Sequence, residues 1–254
     1  MKEQPLVFYF MKRRYKKKSR KKKRSLVFVK MALFLFAVFI TFWGVKKYTQ
    51  SSPDYLSKPT IPNGYSIVGI DVSHHNGEID WHLLQAQGIS FVYIKATEGG
   101  SHIDRRFVQN YKKAKENNIL AGAYHFFRFY EPVKEQLKHF SSVASNVSGD
   151  LLPMIDVEHS RINYKPSGKE RRAVIARLRE FEKGLQQLYG VKPIIYTNKQ
   201  CYSLYIKDNF PQNKLWICDL SSEPNDNLYP NWVVWQYSHR GRLHGPGHWR
   251  HSGR

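Results

Sequence analysis

The sequence predicts an α/β fold: an irregular, flattened (β/α) barrel of parallel strands, preceded by one transmembrane helix. Strand-like and helix-like segments alternate from residue 65 onward, which is the pattern of a parallel sheet with right-handed crossovers. The roughly 190 residues available are few for a full (β/α)8 barrel of about 250 residues, so we expect abbreviated helices. A long apolar run near the N-terminus predicts the membrane helix.

Each element of the barrel is predicted from an apolar run or from helical spacing. The last helix is the best specified, because Ser167 and Glu170 form a capping box and Gly190 supplies the C-terminal stop. Glu131 and Pro132 suit a helix start, since proline is tolerated in the first turn. The predicted strands are residues 66–70, 91–96, 119–126, 151–155, 193–197, 214–218 and 232–236. The predicted helices are residues 79–87, 104–117, 131–146 and 169–189.

The N-terminal part of the chain differs in composition from the rest. Residues 12–24 contain eleven Lys or Arg, and residues 26–45 form an apolar stretch whose single charge is Lys30. Twenty residues in a helix rise about 30 Å, enough to cross a hydrocarbon core, and positive charge stays on the cytoplasmic side. We therefore expect a basic cytoplasmic segment at 1–25, an uncleaved transmembrane signal anchor at 26–45, a linker at 46–64 and an exported domain at 65–254.

The basic run has two other interpretations: a nucleic-acid arm or localisation signal, or the start of a cleaved signal peptide. Its position directly before an apolar span without a small-x-small site favours the anchor and predicts no nucleic-acid partner. Residues 1–58 hold 16 of the 41 basic and 2 of the 20 acidic residues, so they carry +14 of the formal charge of +21. The mildly basic remainder suits a polyanionic wall or membrane surface.

Cys201 and Cys218 are the two cysteines of the chain. Each lies in or beside an apolar stretch, so we expect buried free thiols. A disulfide in an oxidising compartment is the alternative.

Asp156 and Glu158, which follow the apolar run 151–155, are the most informative residues. Side chains at i and i+2 of a strand point to the same face, with Cα atoms about 6.5–7 Å apart, and α/β folds place their chemistry at strand C-termini. Burial of two like charges raises the pKa of at least one, and we expect ionised Asp156 to keep Glu158 protonated. One protonated and one ionised carboxyl can cleave a glycosidic bond. The alternative is a pair of solvated acids in a loop.

Other polar and aromatic residues stand at the ends of the predicted strands. In a parallel sheet the strand C-termini converge on one mouth, and acids with aromatic rings around a cleft suit sugar hydroxyls and sugar rings. The candidate residues are Asp71, Glu98, Tyr124, His125, Asp156, Glu158, Tyr196, Asn198, Asp219, Trp235, Gln236 and Tyr237.

Several motifs, taken in order, resemble the glycoside hydrolase family 25 lysozymes (N-acetylmuramidases). They are residues 69–73 (GIDVS), 76–77 (NG), 79–81 (IDW), 91–99 (FVYIKATEG), 122–126 (GAYHF), 156–158 (DVE), 215–217 (LWI) and 235–238 (WQYS). The resemblance implies an irregular β/α barrel that hydrolyses the β-1,4 bond between N-acetylmuramic acid and N-acetylglucosamine in peptidoglycan, with no cofactor and no metal.

Together with the predicted anchor, the resemblance implies a location and partners. The protein would be a single-pass protein of the bacterial inner (plasma) membrane, with its N-terminus cytoplasmic and its catalytic domain in the periplasm or outside the cell. Its partners would be peptidoglycan glycan strands and, through the N-terminal helix, the lipid bilayer.

The resemblance also implies roles for single residues. Glu158 would be the general acid, and Asp156 would orient or stabilise the 2-acetamido group if that group attacks the anomeric carbon; direct attack by water is the alternative. Asp71 would be a third catalytic acid that binds substrate and tunes the pair. The predicted substrate-binding residues are Tyr124, Tyr196 and Asp219, by resemblance, and Glu98, Trp235 and Gln236, by their positions at strand ends.

Two other functions stay open. The family continues past residues 235–238 into a last apolar strand bearing Asp, whereas residues 244–254 contain no acid and no apolar alternation. A catalytically impaired wall-binding protein is therefore one alternative. The other is a metal-dependent wall-sugar deacetylase, whose ligands would come from Asp71, His74, His75, His125 and His159.

Overall fold

The structure, a computed structural model, describes residues 30–31, 36, 38–41, 61–145, 151–159 and 164–239. The chain divides into two units, Met1–Pro53 and Asp54–Arg254, and the barrel lies in the second. Among the described residues, no helix is long and apolar enough to cross a membrane. Most of the predicted anchor at 26–45, most of the linker at 46–64 and the tail at 244–254 lie outside the described residues.

One sheet forms the frame of the second unit. Its strands are β1 (Val68–Val72), β2 (Ile89–Glu98), β3 (His102–Ile103), β4 (Leu120–Phe126), β5 (Met154–Val157), β6 (Ile194–Asn198), β7 (Leu215–Cys218) and β8 (Trp232–Gln236). The order is β1-β2-β4-β5-β6-β7-β8 with parallel neighbours, and β3 pairs antiparallel with β2. Within the described ranges β1 and β8 do not pair with each other. The predicted α/β fold with a parallel sheet is confirmed.

Helices connect these strands. They are α1 (Trp81–Ala86), α2 (Phe107–Glu116), α3 (Val133–Ala144), α4 (Gly168–Tyr189) and α5 (Lys199–Cys201), with a 3-10 turn at His74–Asn76 and a π-helix at Tyr202–Ile206. The predicted capping box of α4 is confirmed: Glu170 N donates to Ser167 Oγ at 3.3 Å, and Ser167 N donates to Glu170 Oε2 at 2.7 Å. Gly190 ends this helix in the left-handed region, at φ 72°, which favours glycine.

Two strands begin more than one residue later than predicted, and both shifts affect the acids. β1 lies two residues further along, because its ladder with β2 continues through Val72. β5 begins after Pro153, since proline has no N–H to donate to a ladder. Asp71 and Asp156 consequently lie inside their strands, and Glu158 is the acid that follows a strand end.

Besides the 3-10 turn at His74–Asn76, three short elements were not predicted. The strand β3 forms a hairpin with the end of β2, and Gly99 at φ 56° allows the chain to turn back there. The helix α5 and the π-helix that follows it occupy the connection from β6 to β7. All three lie after strand C-termini, the end of the sheet where we expect the site.

Two apolar clusters lie on opposite faces of the sheet. The larger contains helix residues such as Leu84, Phe140 and Leu178 together with strand residues, so it fills the space between the sheet and the helices. The smaller consists of strand residues alone, namely Tyr93, Tyr124, Met154, Ile194, Tyr196, Trp216 and Cys218. Because side chains alternate along a strand, this smaller cluster marks the inner face of the barrel.

Candidate active site

The acid pair lies on the inner face at the end of β5. Met154 belongs to the inner cluster and Val157 to the outer one, so Asp156, two residues after Met154, points inward. Asp156 is buried, and Glu158 is partly buried just beyond the strand. The predicted placement of both acids on one face is confirmed, and the alternative of a solvated loop pair is wrong.

Burial and neighbouring charges raise the pKa of both carboxyls. Burial raises the pKa of Glu158 to about 7, assisted by the Asp71 carboxylate and opposed by the Lys95 ammonium. Burial likewise raises the pKa of Asp156 well above its usual value, and the Glu158 charge adds to it. The expected rise in pKa within the pair is confirmed. The Asp71 carboxylate is a further negative charge that acts on Glu158, and that ionised Asp156 keeps Glu158 protonated stays a prediction.

A glutamine joins the first and last strands of the sheet at this level. Tyr196 OH donates to Gln236 Oε1 at 2.7 Å, and Gln236 Nε2 donates to Asp71 Oδ1 at 3.2 Å. The structure thus brings three predicted site residues together from β1, β6 and β8. Their contact also holds the carboxylate of Asp71, an exposed residue, next to the last strand of the sheet.

The floor of the cleft is aromatic. The rings of Tyr93 and Tyr196 pack against Trp216 at centroid distances of 5.5 and 5.8 Å, and Tyr124 belongs to the same cluster. Burial raises the pKa of Tyr124 far above its usual value, with the charge of Asp71 adding to it, so this phenol remains a hydrogen-bond donor. Among the described residues, Asp156 Oδ1 and Trp216 Nε1 are buried without a hydrogen-bond partner.

Glu98 lies in a cluster of charges at the end of β2. Lys95 Nζ is 2.5 Å from Glu98 Oε2, and Arg128 Nη2 contacts Glu98 Oε1. Burial opposes ionisation of Glu98, but the two cations outweigh it and lower its pKa. Its predicted role in substrate binding stays a prediction, and its contacts in this structure are to these cations.

Asp219 organises the loop that follows β7. Its carboxylate accepts hydrogen bonds from the backbone and hydroxyls of Ser221 and Ser222 and is 2.8 Å from Lys199 Nζ. Trp235 Nε1 donates to the Asp219 carbonyl oxygen at 2.7 Å. Asp219 is 3 % exposed, so its contacts hold the loop, and the predicted substrate contact of Asp219 and Trp235 stays a prediction.

The histidines considered as metal ligands have separate partners. His74 Nδ1 is 2.7 Å from Asp104 Oδ2, His125 lies between Thr97 and Gln136, and His159 Nε2 is 2.8 Å from Tyr205 OH. Burial lowers the pKa of His125 to about 4. Over the described part of the chain, no three His, Cys, Asp or Glu side chains are arranged to hold a metal ion.

The cysteines are free thiols. Cys201 and Cys218 are both buried and unpaired with each other, as predicted. Burial raises the pKa of Cys201 to about 12, against a hydrogen bond from the His159 backbone, and that of Cys218 to about 11.

The sequence analysis did not predict three parts of the site: Lys95, Trp216 and the π-helix Tyr202–Ile206. A signal existed for the first, because a lysine inside the apolar run 91–96 requires a charged partner if that strand is buried. Trp216 had no such signal, since its residue type fits any buried strand. The π-helix depends on hydrogen bonding that residue types do not specify.

The fold and the acid pair define a class: an α/β-barrel glycoside hydrolase. Residues 70–246 match the model of the glycosyl hydrolases family 25. A family 25 glycosyl hydrolase from Bacillus anthracis superposes with a TM-score of 0.65 at 34% identity, covering 75% of this chain and 87% of that one. The chain belongs to family 25 of the glycosyl hydrolases, and the predicted family is confirmed.

Relatives of this chain include an uncharacterized protein and a lysozyme, each about one third identical to it. YegX of Escherichia coli (strain K12), an uncharacterized protein, is 34% identical over 190 residues, which are 73% of this chain and 68% of YegX. Lysozyme M1 of Streptomyces globisporus is 31% identical over 188 residues, which are 70% of this chain and 64% of that lysozyme.

Proposed function

We propose that this glycoside hydrolase is a lysozyme that cleaves the β-1,4 bond between N-acetylmuramic acid and N-acetylglucosamine in peptidoglycan. The family match supports the reaction class. Relatives named as lysozymes, from Streptomyces globisporus and Clostridium acetobutylicum, support the substrate.

The observation that carries this proposal is the carboxyl of Glu158, whose pKa is raised to about 7 beside a second buried acid. A carboxylic acid that is still protonated near neutral pH can give its proton to the glycosidic oxygen as the sugar leaves. Glu158 is the general acid in this scheme. The charge of Asp71 raises the pKa of Glu158, so Asp71 tunes the acid.

Asp156 is suited to hold the substrate rather than to donate the proton. Its Oδ1 has no hydrogen-bond partner among the described residues, and a carboxyl keeps an acceptor oxygen in either protonation state. In the proposed scheme the Asp156 carboxyl accepts the N–H of a 2-acetamido group and so orients that group toward the anomeric carbon. Tyr124, Tyr196 and Gln236 surround the same space from β4, β6 and β8.

Replacement of Glu158 tests the proposal. The Glu158→Gln enzyme should bind glycan strands but release reducing ends from purified peptidoglycan about 10²–10⁴-fold more slowly, because the amide keeps the shape and loses the proton. Glu180→Gln, on the exposed face of α4, is the matched control and should keep full activity. Turnover above about a tenth of wild type in Glu158→Gln would show that another group is the acid.

The same assay decides the substrate. Faster reducing-end release from peptidoglycan than from chitin supports the proposed bond. Binding of peptidoglycan without any release by the wild-type protein would identify a catalytically impaired wall-binding protein instead.

We also propose that residues 1–25 are cytoplasmic, that 26–45 anchor the protein in a bacterial inner membrane, and that the catalytic domain is exported. The basic run before an apolar span supports this topology. A chain that starts near Pro59 should then be soluble and as active per molecule as the detergent-solubilised whole. Cysteine accessibility labelling that finds the N-terminus outside the cytoplasm would overturn the topology.

A further inference from the structure

A buried lysine stands in the wall of the cleft. Lys95 is 8 % exposed in β2, between apolar neighbours. An ammonium group without compensating charges is costly to bury. Lys95 therefore has to be explained by the acids around it.

The position of Lys95 Nζ connects it with the acid pair. It is 2.5 Å from Glu98 Oε2 and 5.0 Å from the centroid of the Phe126 ring. Phe126 pairs in register with Glu98 on one side and with Asp156 on the other. The ammonium group consequently lies at the level of the sheet where Asp156 begins the acid pair.

The charge of Lys95 acts on both members of the pair. It lowers the pKa of Asp156 and of Glu158, against burial and against the charge of Asp71. Glu98 neutralises part of this positive charge, and Arg128 shares Glu98 from the loop after β4.

The negative charges around the pair are those of Asp71, Glu98 and, acting on Tyr124, Asp104, while burial favours the neutral form of the neighbouring phenols, thiols and imidazoles, including Cys201 and His159. Burial raises the pKa of Tyr124, Tyr196 and Cys218. His125, on β4, has a pKa lowered by burial to about 4. Among the residues that the structure describes, Lys95 is thus the cation whose charge lowers the pKa of both acids, with Glu98 and Arg128 as its charged neighbours.

We propose that Lys95 is a positioning residue for the acid pair, and that its charge, balanced by Glu98, sets the upper end of the pH range in which the enzyme works. The inference rests on the proposed function, with Glu158 as the general acid. Without Lys95 the two carboxyls would hold their protons to higher pH. The enzyme would then stay active further into the alkaline range.

The test is the pH dependence of kcat/KM on purified peptidoglycan, which reports ionisations of the free enzyme. In Lys95→Met the alkaline limb should move up by about one pH unit, the low end of the effect of a nearby opposite charge. Lys95→Arg keeps the charge and should keep the limb near its wild-type position. Lys192→Met is the matched control: Lys192 Nζ is 2.8 Å from Glu182 Oε1, a lysine–glutamate pair outside the cleft, and its loss should not move the limb.

Glu98→Gln provides a shift of the opposite sign. It removes a negative charge and leaves Lys95 less neutralised, so the alkaline limb should move to lower pH. This variant decides the matter if Lys95→Met does not fold. An alkaline limb that stays in place or falls in Lys95→Met, or that stays in place or rises in Glu98→Gln, overturns the inference. Turnover above about a tenth of wild type in Glu158→Gln would instead overturn the assignment of the acid, and a wild-type protein that releases no reducing ends would overturn the proposed function, so these failures are distinguishable from failure of the inference.

Discussion

Asp71 shows how one exposed carboxylate can act on a residue that follows another strand. It is held by Gln236 at 3.2 Å, and its charge acts on Glu158, Tyr124 and Tyr196. Because an anion nearby disfavours a second one, Asp71 helps to keep the general acid protonated.

Asp71→Asn should therefore move the alkaline limb of the kcat/KM profile to lower pH, by about half a unit to one unit. The direction of the shift follows because the negative charge of Asp71 raises the pKa of Glu158. Removal of that charge lowers the pKa. The amide preserves the size of the side chain, so the shift can be separated from a change of shape. Asp208→Asn, an exposed acid at φ 63° where asparagine is well tolerated, is the control. A limb that does not move, or moves up, contradicts this account.

Some of these residues could be found in the sequence, and others could not. Asp156 and Glu158 follow an apolar run at a spacing of two, and that spacing alone places them on one face. The Asp219 carboxylate is fully paired with Ser221, Ser222 and Lys199 only because the loop after β7 folds back. The conformation of that loop cannot be predicted from the residue types. The action of Asp71 on Glu158 depends on how the sheet as a whole curves, which residue types do not state either.

At the scale of elements, the connection from β6 to β7 supports the segment that carries the general acid. His159, the residue after Glu158, is 2.8 Å from Tyr205 OH and packs edge-on against Phe129 at 4.7 Å. Tyr205 reaches it from the π-helix, a rare element that is frequent at functional sites. The π-helix thus fixes the backbone directly after the acid.

Tyr205→Phe should lower kcat by about twofold to tenfold and leave KM nearly unchanged, since loss of one buried hydrogen bond costs about 0.5–1.5 kcal/mol and loosens the acid more than the substrate. Tyr202→Phe is the matched control, because Tyr202 OH donates to the Leu228 carbonyl at 2.9 Å on the same π-helix but without contact to His159. Equal losses in the two variants would show a general loss of stability rather than mispositioning of Glu158.

The elements themselves were largely predictable, and their ends were not. Apolar runs indicated seven of the strands, and the capping box indicated the start of α4. The start of β5 depended on Pro153, whose missing N–H is visible in the sequence. The hairpin of β3 also had a signal in Gly99 and Gly100, but a strand of two residues shows no periodicity.

At the scale of the whole molecule, the raised carboxyl pKa values carry a stability cost at alkaline pH. A group whose pKa is higher in the folded than in the unfolded chain contributes its full stabilisation at a pH below its unfolded pKa. That contribution is lost as the pH rises through the folded pKa, so the protein is less stable at alkaline pH. For Glu158 the window runs from its usual value of 4.5 to about 7.

Glu158→Gln should therefore unfold at a higher temperature than the wild type at pH 8, and at nearly the same temperature at pH 4. The difference in unfolding free energy at pH 8 should be on the order of 1–2 kcal/mol, reduced from the full linkage value because the side chain is partly open to solvent. Thermal unfolding at the two pH values measures it, with Glu180→Gln as reference. If the variant and the wild type differed in unfolding temperature by the same amount at both pH values, titration of Glu158 would not be the source of the difference.

The bridge from Asp71 through Gln236 joins residues 165 positions apart in the chain. A ribosome releases β1 early and β8 last, so a nascent chain already contains all three acids before the strand that joins the two edges of the sheet exists. Contacts of such long sequence separation form slowly and late in folding. The capacity to cut a polysaccharide should consequently appear only when synthesis of the barrel is complete, and a single proteolytic nick that frees β8 should abolish it while leaving Glu158 and its neighbours chemically intact.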